Sequence, residues 1–443
     1  MNTEIQNLMR AHGIVGAGGA GFPSYAKLAD GADTLIINGS ECEPLLHTDY
    51  EILKQHISEV VAGAEMIADA VGIGRVILAV KEHTSRGLGL TGGQAFGRMT
   101  KVFLLPNMYP MGDEITLIYE ATGRLVQPSA LPISQRVIVY NAETIYNFYR
   151  AATFHEPVVS KWLTVAGDIS DNRAYVLRVP VGMRVADLLR GLDVPVPATH
   201  RLVVGGPSMG RVANPETEVV TKTTKGLLIL PADIPAVATK IAPLSVQERR
   251  AVSACCQCTR CTDMCPRQLM GYPLEPHRMV RFATSLPEID PSLYTEASLC
   301  CGCGICEIAA CCQDLSPRAV IFEMKRRLGE KKMRYDPAGK VSKIEPQRAH
   351  RQMPIPRWKM LLGVTPFDRK QNYTEEIPSF RTVEIRMSQH IGAPSVPVVA
   401  AGDSVACGQK IAEAGAGLSV PQFASVSGRV SYADAQKIVI EKD

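Results

Sequence analysis

The sequence contains no apolar run long enough to cross a lipid bilayer. Its most apolar stretch, VGIGRVILAV at residues 71–80, is shorter than the roughly 18 residues that a spanning helix needs, and it carries Arg75. The opening residues MNTEIQNLMRAHG also lack the apolar core of a secretory signal. We therefore expect a cytoplasmic protein that does not span a membrane.

The sequence also lacks a strong charge imbalance. The net charge is +4 over 443 residues, with 46% hydrophobic and 21% charged residues, which is ordinary for a globular protein. A charge this small argues against an electrostatic nucleic-acid binder, so we expect no nucleic-acid partner. The length exceeds what one hydrophobic core supports and predicts several domains.

Cysteine is abundant, but its distribution argues against a disulfide framework. The chain has 13 cysteines, and eleven of them lie between Cys255 and Cys312. An odd number of cysteines crowded into one segment of a cytoplasmic chain indicates metal binding instead.

The two runs of cysteines have the spacing of ferredoxins that hold two clusters. The first run reads CxxCxxCxxxCP, and the second reads CxxCxxC with a further cysteine after four residues. In this pattern three cysteines of a run bind one cubane and the fourth binds the other. We therefore predict one 4Fe–4S cluster on Cys255, Cys258, Cys261 and Cys311, and a second on Cys265, Cys300, Cys303 and Cys306.

Two departures from the ferredoxin pattern leave one ligand open. The last gap is four residues rather than three, and Cys312 stands where proline is expected, so Cys312 could replace Cys311. Cys256 and Cys301 are left over beside predicted ligands. Structural zinc is the alternative metal, but zinc sites take two separated pairs rather than three successive ligands and a fourth.

A glycine-rich loop, VGAGGAGFPSYAK at residues 15–27, is a candidate phosphate site. The segment before it reads as a helix rather than a strand, so it is not a dinucleotide-binding fingerprint of the usual kind. Successive glycine amides can still approach an anion closely, and Lys27 adds a positive charge. The alternative is a loop that is merely flexible.

Strand and helix patterns alternate through the first 150 residues. This alternation predicts an α/β domain with a mainly parallel sheet, which binds ligands at the carboxyl ends of its strands. The polar motifs NGSECEP at 38–44 and NAET at 141–144 both follow predicted strands. They should therefore meet at one edge of the sheet.

The motifs GAGGAGFP, NGSECEP, YPMGDE and NAET together resemble the flavin-binding subunit of respiratory complex I and the C subunit of Rnf-type electron-transport complexes. The resemblance implies FMN as cofactor and NADH as electron donor. It implies that FMN is surrounded by Gly16, Gly18, Lys27, Asn38, Glu41, Gly112, Asp113, Glu114, Asn141 and Thr144, and that the nicotinamide nucleotide lies nearest Phe22, Glu43 and Glu114. The two glutamates should disfavour a 2′-phosphate and so favour NADH over NADPH.

The resemblance extends along the rest of the chain and implies a multi-domain α/β architecture. The middle of the chain is similar to the β-grasp-like SLBB domain, which we expect to be a spacer, and the tail is similar to an all-β barrel-sandwich hybrid without the lysine that biotin or lipoate would modify. The predicted domains are an FMN- and NADH-binding α/β domain at 1–155, the SLBB domain at 156–235, a two-cluster ferredoxin-like helical domain at 236–330, a basic linker and helix at 331–375, and the hybrid domain at 376–443.

The C-terminal position of the hybrid module resembles the cobalamin reductases of propanediol-utilisation microcompartments. This resemblance implies an NADH-dependent oxidoreductase that reduces cob(III)alamin to cob(II)alamin and cob(I)alamin for coenzyme B12 recycling, in which the cofactors do the chemistry and no side chain is predicted to be catalytic. It also implies an adenosyltransferase and shell proteins as partners inside a microcompartment, and it leaves the oligomeric state open. The alternatives are an electron-transfer component of an Rnf-like complex and a non-enzymatic cluster relay.

Overall fold

The computed structural model describes residues 2–170, 174–283, 286 and 288–443. The alternating segments of the first 155 residues form a five-stranded sheet flanked by helices. Its strands are β1 Thr34–Gly39, β2 Arg75–Lys81, β3 Ala95–Phe96, β4 Thr100–Leu105 and β6 Val137–Asn141. The short strand β5 Met108–Tyr109 lies outside this sheet. The helices are α1 Asn2–Ala11, α2 Thr48–Val71, α3 Glu82–Leu88, α4 Glu114–Thr122 and α5 Ala142–Phe154.

The order of this sheet is β3-β4-β2-β1-β6, and all pairs except β3–β4 are parallel. The interior strand β1 is buried on both faces because helices cover both. Leu35 and Ile37 pack in one core with residues of α2 and α5, and Ile36 packs in a second core with Leu117 of α4. The strand ends that carry the polar motifs therefore share one edge.

The middle region forms a six-stranded mixed sheet. Its strands are β7 Ser160–Gly167, β8 Tyr175–Pro180, β9 His200–Val204, β10 Arg211–Ala213, β11 Gly226–Pro231 and, from much later in the chain, β13 Asn372–Thr374. The helix α6 Val185–Gly191 connects β8 to β9. The order is β10-β9-β11-β7-β8-β13, so the last strand returns from far along the chain to pair with β8. The likeness of this sheet to the SLBB domain stays a prediction.

The cysteine segment is built from short helices with little sheet. They are α7 Pro235–Ile241, α8 Leu244–Ala254, α9 Arg260–Asp263, α10 Pro266–Leu269, α11 Pro276–Val280 and α12 Pro317–Glu330, and a single π-helical turn spans Cys306–Ala310. Proline in the first turn of α10 stops the preceding loop and starts the helix directly after Cys265. Buried Val320, Ile321 and Met324 of α12 hold this region together.

The segment expected to be a basic linker and helix does contain a helix, but its second half is partly buried rather than solvated. Residues 331–352, which include the short helix α13 Arg348–Arg351, are mostly exposed. After them, β12 Met353–Pro354 pairs with β5, and α14 Ile355–Leu362 follows. Ile355, Trp358 and Leu362 repeat at helical spacing, so one face of α14 is apolar and buried. The segment fastens the flavin-type sheet to the cysteine region.

The tail forms two small antiparallel sheets, as predicted. The strands are β14 Thr382–Arg386, β15 Val396–Pro397, β16 Ser404–Val405, β17 Lys410–Glu413, β18 Gln422–Phe423, β19 Gly428–Ala433 and β20 Lys437–Lys442. They pair in the orders β14-β20-β19-β16 and β15-β17-β18. The multi-domain α/β architecture with an all-β tail is thus confirmed. Among the described residues, none of the helices has the length and apolar character of a membrane span.

Candidate functional site

A cleft of about 1120 Å³ opens at the carboxyl ends of β1 and β6. Eleven of the twelve residues that the sequence assigned to the flavin and nucleotide line it, although they come from four separate segments of the chain. They are Gly16, Gly18, Phe22, Lys27, Asn38, Glu41, Glu43, Gly112, Asp113, Glu114 and Asn141. We refer to this space as the flavin cleft.

The glycine-rich loop is held tightly against the sheet. A Cβ on Gly18 would lie 2.8 Å from Cγ of Asn141, so only glycine fits there without displacement. The amide of Ala17 donates to Oγ1 of Thr144 at 3.0 Å, which places Thr144, the twelfth predicted residue, beneath the loop rather than in the wall. The loop is therefore a fixed backbone surface rather than a flexible segment.

A buried ion pair that the sequence analysis missed supports the same loop. Lys161 and Glu143 are each 1% exposed and paired with one another, and Lys161 also donates to the carbonyl oxygen of Ala17 at 3.2 Å. A lysine inside the otherwise apolar strand β7 was the only signal in the sequence. Lys161 thus joins the middle sheet to the floor of the flavin cleft.

Lys27 lies in the cleft beside Glu114. Its Nζ donates to Glu114 Oε1 at 2.7 Å and to the carbonyl oxygen of Val139 at 3.2 Å, and both side chains of the pair are about one third exposed. The predicted phosphate ligand and one of the predicted nucleotide-facing acids are therefore neighbours. Both remain open to a ligand in the cleft.

Glu41 caps the helix that follows it. Its carboxylate accepts hydrogen bonds from Thr48 Oγ1 at 2.8 Å and from the amides of Asp49 and Tyr50 at 3.2 and 3.1 Å. Burial opposes ionisation, but the charge of Lys225 and these hydrogen bonds hold the pKa of Glu41 below its usual range. Glu41 therefore shapes the wall of the cleft as a buried anion.

Glu43 ties the flavin cleft to the middle sheet. Its carboxylate accepts from the amides of Ser208 and Met209 at 2.9 and 3.1 Å, and burial raises its pKa. Met209 and Lys225 of the middle region also line the cleft. The region that we expected to be a spacer thus forms part of the wall, which its sequence did not indicate.

Asp113 connects the cleft to the cysteine region. Its carboxylate forms two parallel hydrogen bonds with the guanidinium of Arg267, both of 2.9 Å, and also caps α4 through the amide of Thr116. Arg267 follows Cys265 by two residues, and both partners are at most 16% exposed. The predicted flavin residue Asp113 is therefore also a structural link to a predicted cluster ligand.

The first group of predicted cluster ligands surrounds a cavity of about 360 Å³ at the surface, which we call the outer pocket. It is lined by Cys255, Cys258, Cys261 and Cys311, and also by Cys256 and Cys312. Burial and the neighbouring thiols of Cys311, Cys255 and Cys258 raise the pKa of Cys261 to about 12. Cys311 from the second run is thus close to three cysteines of the first, as the crossed ligand pattern requires.

The second group of predicted ligands, which we call the inner pocket, lies deeper. Cys265, Cys303 and Cys306 are 7%, 6% and 8% exposed. Burial raises the pKa of Cys265 to about 12, and the nearby thiols of Cys300 and Cys301 add to the effect. Free thiols in such surroundings stay protonated, so iron must displace their protons when it binds. The two sets of four cysteines fit two clusters.

Two further thiols, those of Cys256 and Cys312, lie beside the predicted ligand Cys258 at the rim of the outer pocket. The sulfur atoms of Cys256, Cys258 and Cys312 are all within 4.8 Å of one another, and all three residues are exposed. The Sγ atoms of Cys258 and Cys312 are 3.8 Å apart. The geometry therefore brings Cys312 as well as Cys311 to the outer pocket, and the choice between them remains a prediction.

The inner pocket adjoins the flavin cleft directly. Cys301 and Cys303 line the cleft wall opposite the glycine-rich loop. Tyr109 fills the space behind them: its hydroxyl donates to the carbonyl oxygen of Cys303 at 2.8 Å, and its ring stacks on Trp358 at 4.9 Å between centroids. A flavin in the cleft and a cluster in the inner pocket would thus be neighbours.

Three family models match successive parts of the chain. The Nuo51 FMN-binding domain matches residues 9–150, the 4Fe-4S dicluster domain matches residues 254–316, and the RnfC barrel sandwich hybrid domain matches residues 358–443. The flavin cleft and the two cysteine pockets lie within the first two matches. FMN and two-cluster iron–sulfur binding are therefore properties of these domains.

Curated relatives match almost the whole chain. The cobalamin reductase PduS of Salmonella typhimurium is 36% identical over 442 residues, which cover 99% of this chain and 96% of the relative. The protein of the same name from Citrobacter freundii is 35% identical, covering 98% and 96%. The C subunit of the ion-translocating oxidoreductase complex of Rhodobacter capsulatus is 33% identical over 61% of this chain and 51% of its own length.

Proposed function

The chain belongs to the family of the cobalamin reductase PduS, and from this premise we propose that it passes electrons from NADH, through bound FMN and two 4Fe–4S clusters, to cobalamin. The acceptor is reduced from cob(III)alamin to cob(II)alamin and cob(I)alamin. The match over nearly the full length favours this function over that of an Rnf-type component, whose similarity stops at 61% of the chain.

The chain's own residues position the cofactors and shield them from water. Bound FMN supplies the exchange between the hydride of NADH and single electrons, and the clusters carry those electrons one at a time. Gly18 and Asn141 hold the loop where a flavin phosphate approaches, and Lys27 provides a cation there. Tyr109 and Trp358, both buried, keep water out of the region behind the inner pocket.

The observation that carries the proposal is the shared wall between the flavin cleft and the inner pocket. Cys301 lines the cleft, and Cys303 belongs both to that wall and to the predicted ligand set of one cluster. A flavin in the cleft and a cluster held in part by Cys303 would therefore share one protein wall, and an electron exchanged between them would not have to cross solvent. The outer pocket, by contrast, opens to the surface and can exchange electrons with a molecule outside the protein.

The test is an anaerobic titration of protein loaded with FMN, iron and sulfide. Absorption spectra should show flavin bands and a broad cluster shoulder, both bleached by NADH, and hydroxocobalamin added next should be reduced while the cluster absorbance returns. The matched control is Cys407→Ala, which removes an exposed cysteine of the C-terminal module and should change none of these signals.

Two other outcomes would favour the alternatives. Cluster absorbance without flavin binding or NADH bleaching would indicate a non-enzymatic relay. Stable co-fractionation with membrane proteins, together with no cobalamin reduction, would indicate a component of an Rnf-like complex.

The same premise extends to location and partners. We propose that the protein works inside a propanediol-utilisation microcompartment, where an adenosyltransferase consumes the reduced cobalamin and shell proteins enclose both. Co-purification of the chain with shell proteins from cells grown on propanediol would support this placement, and its exclusion from purified compartments would contradict it.

A further inference from the structure

A second cleft of about 1100 Å³ lies on the other side of the loop that bounds the flavin cleft. The two spaces share Glu41, Cys42, Glu43 and Leu46 as a common wall. The second cleft is closed by the end of β2, the start of α2, α14 and residues 370–371. Neither the flavin nor the clusters account for it.

A buried lysine with unused donors lines this second cleft. Lys81 is 1% exposed, and among the described residues its ammonium makes one hydrogen bond, to the carbonyl oxygen of Glu41 at 3.2 Å. An ammonium group has three donors, and leaving a buried cation without an anion is unfavourable. Burial lowers the pKa of Lys81 for the same reason. The site therefore lacks an anion that a ligand could supply.

The carboxylates nearest to Lys81 are already engaged elsewhere. Glu41 is bound to the amides at the start of α2, Glu43 to the amides of the middle sheet, and Glu51 to Lys54 at 3.2 Å and Gln55 at 2.7 Å. They offset part of the positive charge without forming an ion pair with Lys81.

Further cations line the same space. Lys370 stands exposed at its rim, and Lys359 lies in its wall, paired with Asp368 at 2.5 Å. Burial, with the charges of Lys81 and Lys359, lowers the pKa of His83 to about 4. Because Lys54 and Lys359 are each paired with a carboxylate, Lys81 and Lys370 are the lining lysines for which the described residues show no ion pair, and they can receive an anionic ligand.

A neutral hydrogen-bonding group completes the site. Gln371 donates through Nε2 to the carbonyl oxygen of Leu45 at 2.7 Å, while its Oε1 is buried without a partner. This oxygen can accept from an amide or hydroxyl group of a ligand. A free inorganic anion that has no donor would leave it unsatisfied.

We propose that the second cleft binds the phosphate-bearing part of a nucleotide-type ligand, with Lys81 against the phosphate and Gln371 accepting from an adjacent hydroxyl or amide. The identity of the ligand rests on the proposed function. Both reactants there carry the required chemistry, because cobalamin has a phosphodiester in its nucleotide loop and NADH has a pyrophosphate.

Equilibrium binding to the FMN- and iron-loaded protein tests the proposal and separates the two sources. Cyanocobalamin and NAD⁺ are titrated calorimetrically against wild type, Lys81→Gln, Lys370→Gln and the control Lys101→Gln, which changes an exposed lysine of β4 outside both clefts. Lys81→Gln should weaken one of the two ligands by about tenfold or more, because a charge-assisted hydrogen bond is lost. Lys370→Gln should weaken the same ligand about threefold, and Lys101→Gln should have no effect.

The pattern of losses identifies the ligand. If cyanocobalamin is affected, cobinamide, which lacks the phosphodiester, should bind wild type and Lys81→Gln equally, and the acceptor then sits beside the flavin cleft. If NAD⁺ is affected, the donor's phosphates occupy the second cleft.

Unchanged binding of both ligands in Lys81→Gln, or in Lys370→Gln if the first variant does not fold, overturns the proposal, as does the absence of binding to wild type. A failure to reduce cobalamin would overturn the proposed function but leave a Lys81-dependent affinity standing.

Discussion

The two cysteine pockets are built from interleaved segments, yet their surroundings differ. In the inner pocket Cys265, Cys303 and Cys306 are buried, whereas in the outer pocket Cys258 is exposed and Cys261 only partly covered. The inner pocket borders the flavin cleft, and the outer one borders solvent. The comparison indicates a direction for electron flow, from a sheltered site beside the flavin to a site that other molecules can reach.

The difference arises from what packs on each pocket. Cys303 belongs to an apolar core with Tyr109, Trp358 and Leu362, contributed by the flavin domain and by α14. Buried Val280 and Leu315 line the outer pocket, but so do the exposed Cys256, Cys258 and Cys312, and the neighbouring α8 exposes most of its side chains. The segment after the cysteines therefore decides which cluster is shielded.

The largest effect should come from emptying the inner pocket. Cys265→Ala removes a predicted ligand of the cluster on Cys300, Cys303 and Cys306, so the purified protein should lose about half its iron and essentially all NADH-dependent cobalamin reduction. NADH should still bleach the flavin, because the flavin cleft is intact. Iron and sulfide analysis with electron paramagnetic resonance would show which cluster is missing.

The reciprocal variant controls for non-specific damage. Cys311→Ala should empty the outer pocket and leave the inner cluster reducible by NADH. If Cys265→Ala instead keeps the cluster on Cys300, Cys303 and Cys306 while Cys311→Ala loses it, the crossed ligand pattern is wrong.

The second prediction breaks the link between the inner pocket and the flavin wall. Arg267→Gln leaves the carboxylate of Asp113 buried without its partner, so we expect a loss of about 3 kcal/mol in the free energy of unfolding. The matched control is Arg326→Gln in the exposed pairs of α12, which should lower the free energy of unfolding far less. Chemical denaturation of the loaded proteins measures both. An equal loss of unfolding free energy in the two variants would mean that the buried pair of Arg267 and Asp113 contributes no more to stability than the exposed pairs of Arg326.

Much of this arrangement could be predicted from the sequence because the signals are local. The spacing of Cys255, Cys258 and Cys261 specifies a cluster-binding loop by itself, and the motifs at 38–44 and 141–144 follow strands whose carboxyl ends must meet in a parallel sheet. Eleven of the twelve residues predicted to contact the flavin or the nucleotide consequently line one cleft.

What could not be predicted depends on partners that are distant in the sequence. Arg267 reaches Asp113 across 154 residues, and Lys225 reaches Asp49 across 176. The strand Asn372–Thr374 is too short to be recognised and exists because β8 offers it an edge. Trp358 lies in a segment whose positive charge predicts a solvated surface, and its burial follows from the apolar spacing of α14 alone.

The third prediction concerns the flavin side of the comparison. Gly18→Ala places a Cβ against the side chain of Asn141, so the loop must shift and FMN should bind about tenfold more weakly. Both clusters should assemble normally. The control is Gly74→Ala, where a Cβ meets no atom within 4 Å. Full flavin affinity in Gly18→Ala would remove this loop from the site.

A smaller effect should appear in the pH dependence of stability at the wall between cleft and inner pocket. Burial raises the pKa of Glu43, so its contribution to stability is complete below about pH 4.5 and is lost as the pH rises through the raised value. Glu43→Gln cannot ionise, and wild type should therefore lose stability relative to it as the pH rises above about 4.5.

Glu323 provides the opposite case for the pH experiment. Its hydrogen bond with Arg326 holds its pKa at about 2, so its contribution is lost only in acid, and Glu323→Gln should show no pH-dependent difference from wild type over the same range. If the free energy of unfolding depends on pH in the same way in wild type and in Glu43→Gln, the assignment of a raised pKa to Glu43 is contradicted.

The smallest effect should come from Cys312→Ala, and it decides the fourth ligand of the outer pocket. Cys311 is partly covered, its sulfur accepts from the amide of Leu315 at 3.3 Å, and it lines the outer pocket together with Cys261, which are features of a cluster ligand. Cys312 is exposed and contacts Cys258 at the rim. We therefore expect Cys312→Ala and Cys256→Ala to retain full iron, unchanged resonance spectra and normal electron transfer, whereas Cys311→Ala loses the outer cluster. The opposite result for Cys311 and Cys312 would shift the ligand by one residue, towards solvent, and would make the contrast between the outer and inner pockets still greater.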